Sequence, residues 1–134
     1  MIVDSSALVA ILFKEADAAT LARALRDAPS RAVAAPTVVE AAMVAEGRAG
    51  PAMGGELDDL LRAVDAEIVA FTAEHAAFAR DAWRRFGKGR HPAGLNLGDC
   101  FAYALAVARD EPLLFKGDDF ARTDVKAAIK CLNC

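Results

Sequence analysis

Short apolar runs alternate along this chain with longer stretches of helical spacing, and that alternation restricts the fold more than any other feature. "MIVD" opens the chain, "RAVAAP" lies at Arg31–Pro36, "EIVAF" at Glu67–Phe71 and "PLLFK" at Pro112–Lys116. Each reads as a strand, and short continuous apolar runs are typical of strands buried on both faces. Between them, helical spacing is read over Ser5–Lys14, over Ala16–Ala28, from Pro36 to Gly47 or Gly50, over Glu56–Ala66, from Thr72 to about Phe86, and over Asn96–Glu111. Pro36 suits a first helical turn, and Thr72 and Asn96 are natural caps. "GPAMGG" (Gly50–Gly55) reads as a break, and a last strand is expected over Val125–Leu132. Strands alternating with helices predict an α/β fold: a central, mostly parallel sheet of about four or five strands, flanked by helices on both faces.

The 134 residues suit a single domain, 1–134, with no linker and no internal repeat. A hydrophobic content of 55% supports a core, and 26% charged residues keep the surface polar. The net charge of -3 argues against an overall basic surface for nucleic acid, though not against a local basic patch. The apolar run Ala7–Phe13 has no basic residue before it and is far shorter than a bilayer span, so a cytoplasmic protein without membrane attachment is expected. Of the three cysteines, Cys100 lies in an apolar helical pattern and reads as core. Cys131 and Cys134 in "CLNC" lack the context of a zinc or redox site and read as reduced thiols.

The acids fall where such a sheet gathers its functional groups. Sites in parallel α/β sheets form at the carboxyl ends of the strands. Asp4 ends the first strand, and Glu40 is one turn into the helix after the second. Asp99 is in the first turn of the Asn96 helix, and Asp118 and Asp119 follow the "PLLFK" strand. Separately, Asp4 and Asp99 could be caps, Glu40 a solvated helix residue, and Asp118–Asp119 an ordinary turn. Together they make one acidic edge. Two unit charges about 4 Å apart repel by roughly 4 kcal/mol at an effective dielectric of 20. A hard divalent cation such as Mg²⁺ or Mn²⁺, which prefers oxygen ligands, relieves that repulsion.

"MIVDSSALVAIL", "TVVEAAMV", "LNLGDCFAYALA" and "LLFKGDDFARTD" resemble, in order and spacing, the four acidic motifs of PIN-domain ribonucleases, and most closely those of the VapC toxins of VapBC toxin–antitoxin pairs. The resemblance runs from Met1 to about Asp124 and implies a PIN-like fold. Carried over motif by motif, Asp4, Glu40 and Asp99 are the core acids. The fourth falls on Asp118 or Asp119, with Asp119 favoured because it directly precedes Phe120. Ser6 matches the hydroxyl that steadies Asp4, and Asp118 is expected to support the site by capping the turn "DFAR". The implied chemistry is hydrolysis of RNA phosphodiester bonds leaving 5′-phosphate and 3′-hydroxyl ends. Asp4, Asp99 and Asp119 would serve as metal-site acids for Mg²⁺, with Mn²⁺ as a substitute. The implied partners are RNA, a VapB-type antitoxin and a second copy of the chain.

Arg84, Arg85, Lys88 and Arg90, with Lys116 nearer the acids, are the expected contacts to the RNA backbone. A solvated helix end is the simpler reading of that cluster. His91 reads as a loop residue near RNA and His75 as a helix surface residue, while Trp83 and Phe86 read as core or interface. Two other functional classes are kept open: a catalytically inactive PIN-like domain that binds RNA or protein, and another metal-dependent phosphohydrolase. A phosphotransferase of the haloacid dehalogenase kind would want Asp at position 6, where this chain has Ser6.

Overall fold

The structure, a computed structural model, describes residues 1–129. Strand β1 (Ile2–Val3) leads into α1 (Ser5–Leu12) and α2 (Ala18–Asp27). Strand β2 (Ala32–Ala34) is followed by α3 (Ala35–Ala49) and α4 (Ala52–Ala63), and β3 (Glu67–Val69) by α5 (Ala73–Phe86) and α6 (Leu97–Arg109). Then come β4 (Leu113–Leu114) and a 3₁₀ turn at Phe120–Arg122. The strands form one parallel sheet in the order β3-β2-β1-β4, with Ile2 beside Ala32 and Leu113, and Val3 beside Leu114.

Side chains alternate across a strand, and here the alternation builds two cores. Ile2, Ala32, Ala34 and Leu113 face a layer containing Leu105, Tyr103 and Leu95 from α6 and the segment before it. Val3, Val33 and Leu114 face the other way, onto Leu8, Leu21, Leu25, Leu57 and Leu61. Doubly buried strands need no polar face, which is why β1, β2 and β4 are apolar throughout. Edge strand β3 is the exception, with Ile68 exposed.

Several boundaries differ from the sequence reading. The break at Gly50–Gly55 shrinks to Gly50 and Pro51. Gly50 takes φ 93, and Pro51, already at φ -60, starts α4 before Gly54 and Gly55. The expected strand Val125–Leu132 makes, among the described residues, a single parallel bridge between Ala127 and Leu113; Lys130–Leu132 lie outside those residues. Cys131 and Cys134 also lie outside them. His75 is buried rather than on the helix surface: its Nδ1 accepts the Thr72 N–H at 3.3 Å while Thr72 Oγ1 accepts the His75 N–H at 3.2 Å. At the third helical position the ring turns back onto the cap. Among the described residues no helix is long and apolar enough to cross a membrane.

Candidate active site

Asp4 leaves β1 and caps α1, with Oδ2 accepting the Ser6 N–H at 3.0 Å. Capping and burial coincide here. Asp4 is only 2% exposed, and its Oδ1 is buried with no hydrogen-bond partner. Burial pushes its carboxyl up to about 7, helped by the negative charges of Asp99 and Glu40 and opposed by the hydrogen bonds from Ser6. The Ser6 Oγ accepts the backbone N–H of Lys116 at 3.0 Å, which ties the end of β1 to the segment after β4.

Asp99 occupies the third position of α6 in a reciprocal cap: its Oδ2 accepts the Asn96 N–H at 3.0 Å, and Asn96 Oδ1 accepts the Asp99 N–H at 2.9 Å. Burial raises its carboxyl to about 6, despite the bond from Asn96, and the charges of Asp119 and Glu40 push the same way. The cap role therefore coexists with membership of the acidic cluster. Glu40 rises from α3 with Oε1 buried and unpartnered, and its carboxylate lies against Gly98 of α6.

The structure separates the two acids after β4. Asp119 stands at the start of the 3₁₀ turn and is felt electrostatically by Asp99. Asp118 does not cap that turn as expected: its Oδ2 accepts from Arg122 at 3.3 Å on the surface. Phe120 behind them is buried.

Among the described residues, no three His, Cys, Asp or Glu side chains stand close enough together to grip one ion. The donor set nonetheless fits a hard divalent cation: all its donors are oxygens, two of those are buried without partners, and the Asp4 and Asp99 carboxyls are held above their ordinary values.

The expected RNA contacts divide. Arg84 and Lys88 are exposed on the α5 end and the loop after it. Arg90 lies over the Trp83 ring, 4.2 Å from its centroid. Arg85 is engaged by Asp124 at 2.9 Å and Asp81 at 3.4 Å. Lys116 is held by Glu15 at 2.8 Å, with Asp17 at 3.6 Å. His91 Nδ1 accepts the Ala93 N–H at 3.0 Å. Trp83, partly exposed, lines a cavity of about 480 Å³ between α5 and α6 together with Phe71, Leu95, Leu97 and Phe101. Cys100 is buried, and burial raises its thiol to about 11, which keeps it unreactive. Sequence reasoning missed Glu15, Asp17 and Gly98. Only Gly98 carried a signal, a glycine inside a helix between its cap and an acid.

Residues 1–126 match the PIN domain family. The chain is 51% identical over 127 residues to Ribonuclease VapC of Mycolicibacterium smegmatis, covering 95% of this chain and 98% of that one. It is 46% identical over 125 residues to Ribonuclease VapC30 of Mycobacterium tuberculosis, covering 93% and 95%. Its fold is similar to that of VapC20 of Mycobacterium tuberculosis, a Sarcin-Ricin loop cleaving toxin, with a TM-score of 0.76 at 15% identity over 92% of this chain and 95% of the other. A toxin-antitoxin complex from Klebsiella pneumoniae gives a TM-score of 0.69 at 17% identity, covering 97% and 98%. With one family match spanning nearly the whole sequence and relatives this similar over nearly their full length, the chain belongs to the PIN-domain family, among its VapC members.

Proposed function

We propose that this chain is a divalent-metal-dependent endoribonuclease and the toxin of a type II toxin–antitoxin pair. The observation that carries the reading is Asp4: a buried carboxylate with an unpartnered oxygen at the carboxyl edge of a parallel sheet, faced by Glu40 and Asp99. A fold gains nothing from such an arrangement unless something binds it. Its relatives carry the name ribonuclease.

Asp4, Asp99 and Asp119 would hold Mg²⁺, with Mn²⁺ as a substitute. A bound ion makes hydroxide available near neutral pH and neutralises charge on the scissile phosphate. Glu40 would orient the attacking water and accept its proton at Oε1. Ser6 keeps Asp4 Oδ2 turned toward the start of α1 and leaves Oδ1 for the site. Arg84, Lys88 and Arg90 would receive RNA phosphates, giving affinity without reading sequence. Arg85 and Lys116, already paired, would contribute less.

The antitoxin would cover the acidic edge with a cationic side chain. A homodimer would bury the exposed Val39 and Met43 of α3, which are 58% and 70% accessible. The apolar face of α4 would not serve it, because Leu57 and Leu61 are buried in the chain's own core.

Incubating the purified protein with total RNA, in Mg²⁺ and in EDTA, tests the reading. Fragments with 5′-phosphate and 3′-hydroxyl ends are expected only with the ion. RNA that is bound but stays intact in Mg²⁺ would identify an inactive binding domain instead.

A further inference from the structure

Gly98 is the second residue of α6, a helical position where glycine is normally unfavourable relative to alanine. It is not among the glycines with positive φ, so its backbone conformation does not call for glycine. Its surroundings do. A Cβ built on Gly98 would collide with Glu40 Oε2 and Cδ and stand 2.6 Å from Oε1. The Glu40 carboxylate thus occupies the space where any other residue would carry its side chain. Glu40 Oε1 is buried without a hydrogen-bond partner, so the contact with the bare α-carbon, not a polar anchor, defines where this carboxylate sits.

We infer that Gly98 is a positioning residue for the reaction: its missing side chain is the seat that lets the Glu40 carboxylate lie between α3 and α6, beside Asp4 and Asp99. This rests on the reading of Glu40 as a site acid. The colliding atoms are the far end of a flexible side chain, so a methyl group at position 98 leaves the fold intact and drives the carboxylate out. The function is lost while the protein gains a better helix former.

The test is a double-mutant cycle of wild type, Gly98→Ala, Glu40→Ala and the double variant. RNA cleavage is followed under single-turnover conditions, and thermal melting in EDTA. Gly98→Ala should lower the maximal rate at least tenfold with little change in the RNA concentration giving half-maximal rate. The double variant should cleave no more slowly than Glu40→Ala. In melting, Gly98→Ala should raise Tm more in the Glu40→Ala background than in wild type, because only there is the seat empty. A Gly98→Ala protein that fails to fold while the double variant folds identifies the same collision. Wild-type rates in Gly98→Ala, or equal Tm shifts in both backgrounds, overturn the inference. The melting arm needs no activity, so a wild type that cleaves nothing would sink the nuclease reading and leave the seat still tested.

Discussion

The two edges of the sheet treat charge in opposite ways. At the amino edge the charges of Met1, Arg31, Glu67 and Arg109 are answered. The Met1 ammonium donates to Glu111 at 2.7 Å and to the Ser30 carbonyl at 3.2 Å. Arg31 donates to the carbonyl oxygens of Leu25, Arg26, Ala28 and Val64 at 2.5–3.0 Å, closing the carboxyl ends of α2 and α4. Arg109 grips Glu67 at 2.6 and 3.2 Å. At the carboxyl edge, Asp4 and Glu40 each keep a buried oxygen without a partner, and Asp99 stands among like charges. The same strands thus carry a finished edge and an unfinished one. Stability lives at the first, and the second is where the proposed site lies.

Substitution at the unfinished edge should damage chemistry and spare the fold. Asp4→Asn or Asp99→Asn is expected to reduce RNA cleavage a thousandfold or more, about 4 kcal/mol of transition-state stabilisation. Both variants should melt at or above the wild-type temperature in EDTA at pH 8, because a negative charge leaves a repulsive cluster. Wild-type cleavage by either would remove the acidic edge from the mechanism. Substitution at the finished edge should do the reverse. Arg31→Met strips four carbonyls of their donor and should cost about 2–3 kcal/mol, or about 6–10 °C in Tm. The refolded protein should keep its specific cleavage rate, and a Tm within 2 °C of wild type, a margin of about 0.6 kcal/mol, would show that the amino edge does not hold the fold.

The same contrast has a pH signature. The Asp4 carboxyl titrates near 7 when folded and near 3.8 ordinarily. The folded state therefore binds the proton more tightly, and stability falls as pH rises between those values. From pH 5 to pH 8 Asp4 alone should cost about 2–3 kcal/mol in EDTA. Asp4→Asn should flatten that slope. Mg²⁺ competes with the proton, so it should raise Tm more at pH 8 than at pH 5. A wild-type Tm that does not fall between pH 5 and pH 8 in EDTA would contradict the burial of this charge.

How far each edge was legible in the sequence follows from how local its interactions are. Asp4, Thr72 and Asn96 announce themselves because a cap and its helix are adjacent, and β1, β2 and β4 announce themselves because burial on both faces leaves no polar residue in them. The Glu40–Gly98 contact joins α3 to α6, Lys116 reaches back to Glu15, and Arg31 answers carbonyls on two helices. Apart from the glycine itself at position 98, none of these has a pattern within its own segment. His75 differs from its surface reading for a local reason: its position in the first turn folds it onto Thr72. Among the described residues the expected final strand reduces to one bridge at Ala127, which satisfies the edge of β4 for only one residue pair.

The smallest expected effect concerns the adjacent pair Asp118 and Asp119, where the proposed site gives way to ordinary surface within one residue. Buried Phe120 anchors the turn, and consecutive side chains diverge. Asp119, though exposed, lies near enough for its charge to help keep the Asp99 carboxyl up near 6. Asp118 falls on the outer side and meets Arg122 across a surface pair that is more than half exposed on both partners. Exposed pairs of that kind contribute little, at most about 0.5 kcal/mol. Asp119→Asn should accordingly lower cleavage about tenfold, or about 1.4 kcal/mol, with no loss of Tm. Asp118→Asn should leave the rate within about twofold, since nothing it touches reaches the acids. Single-turnover rates for the two variants, measured side by side with their melts, decide between them. A tenfold loss confined to Asp118→Asn would move the boundary of the site outward by one residue and assign the fourth acid to the side chain that now faces Arg122.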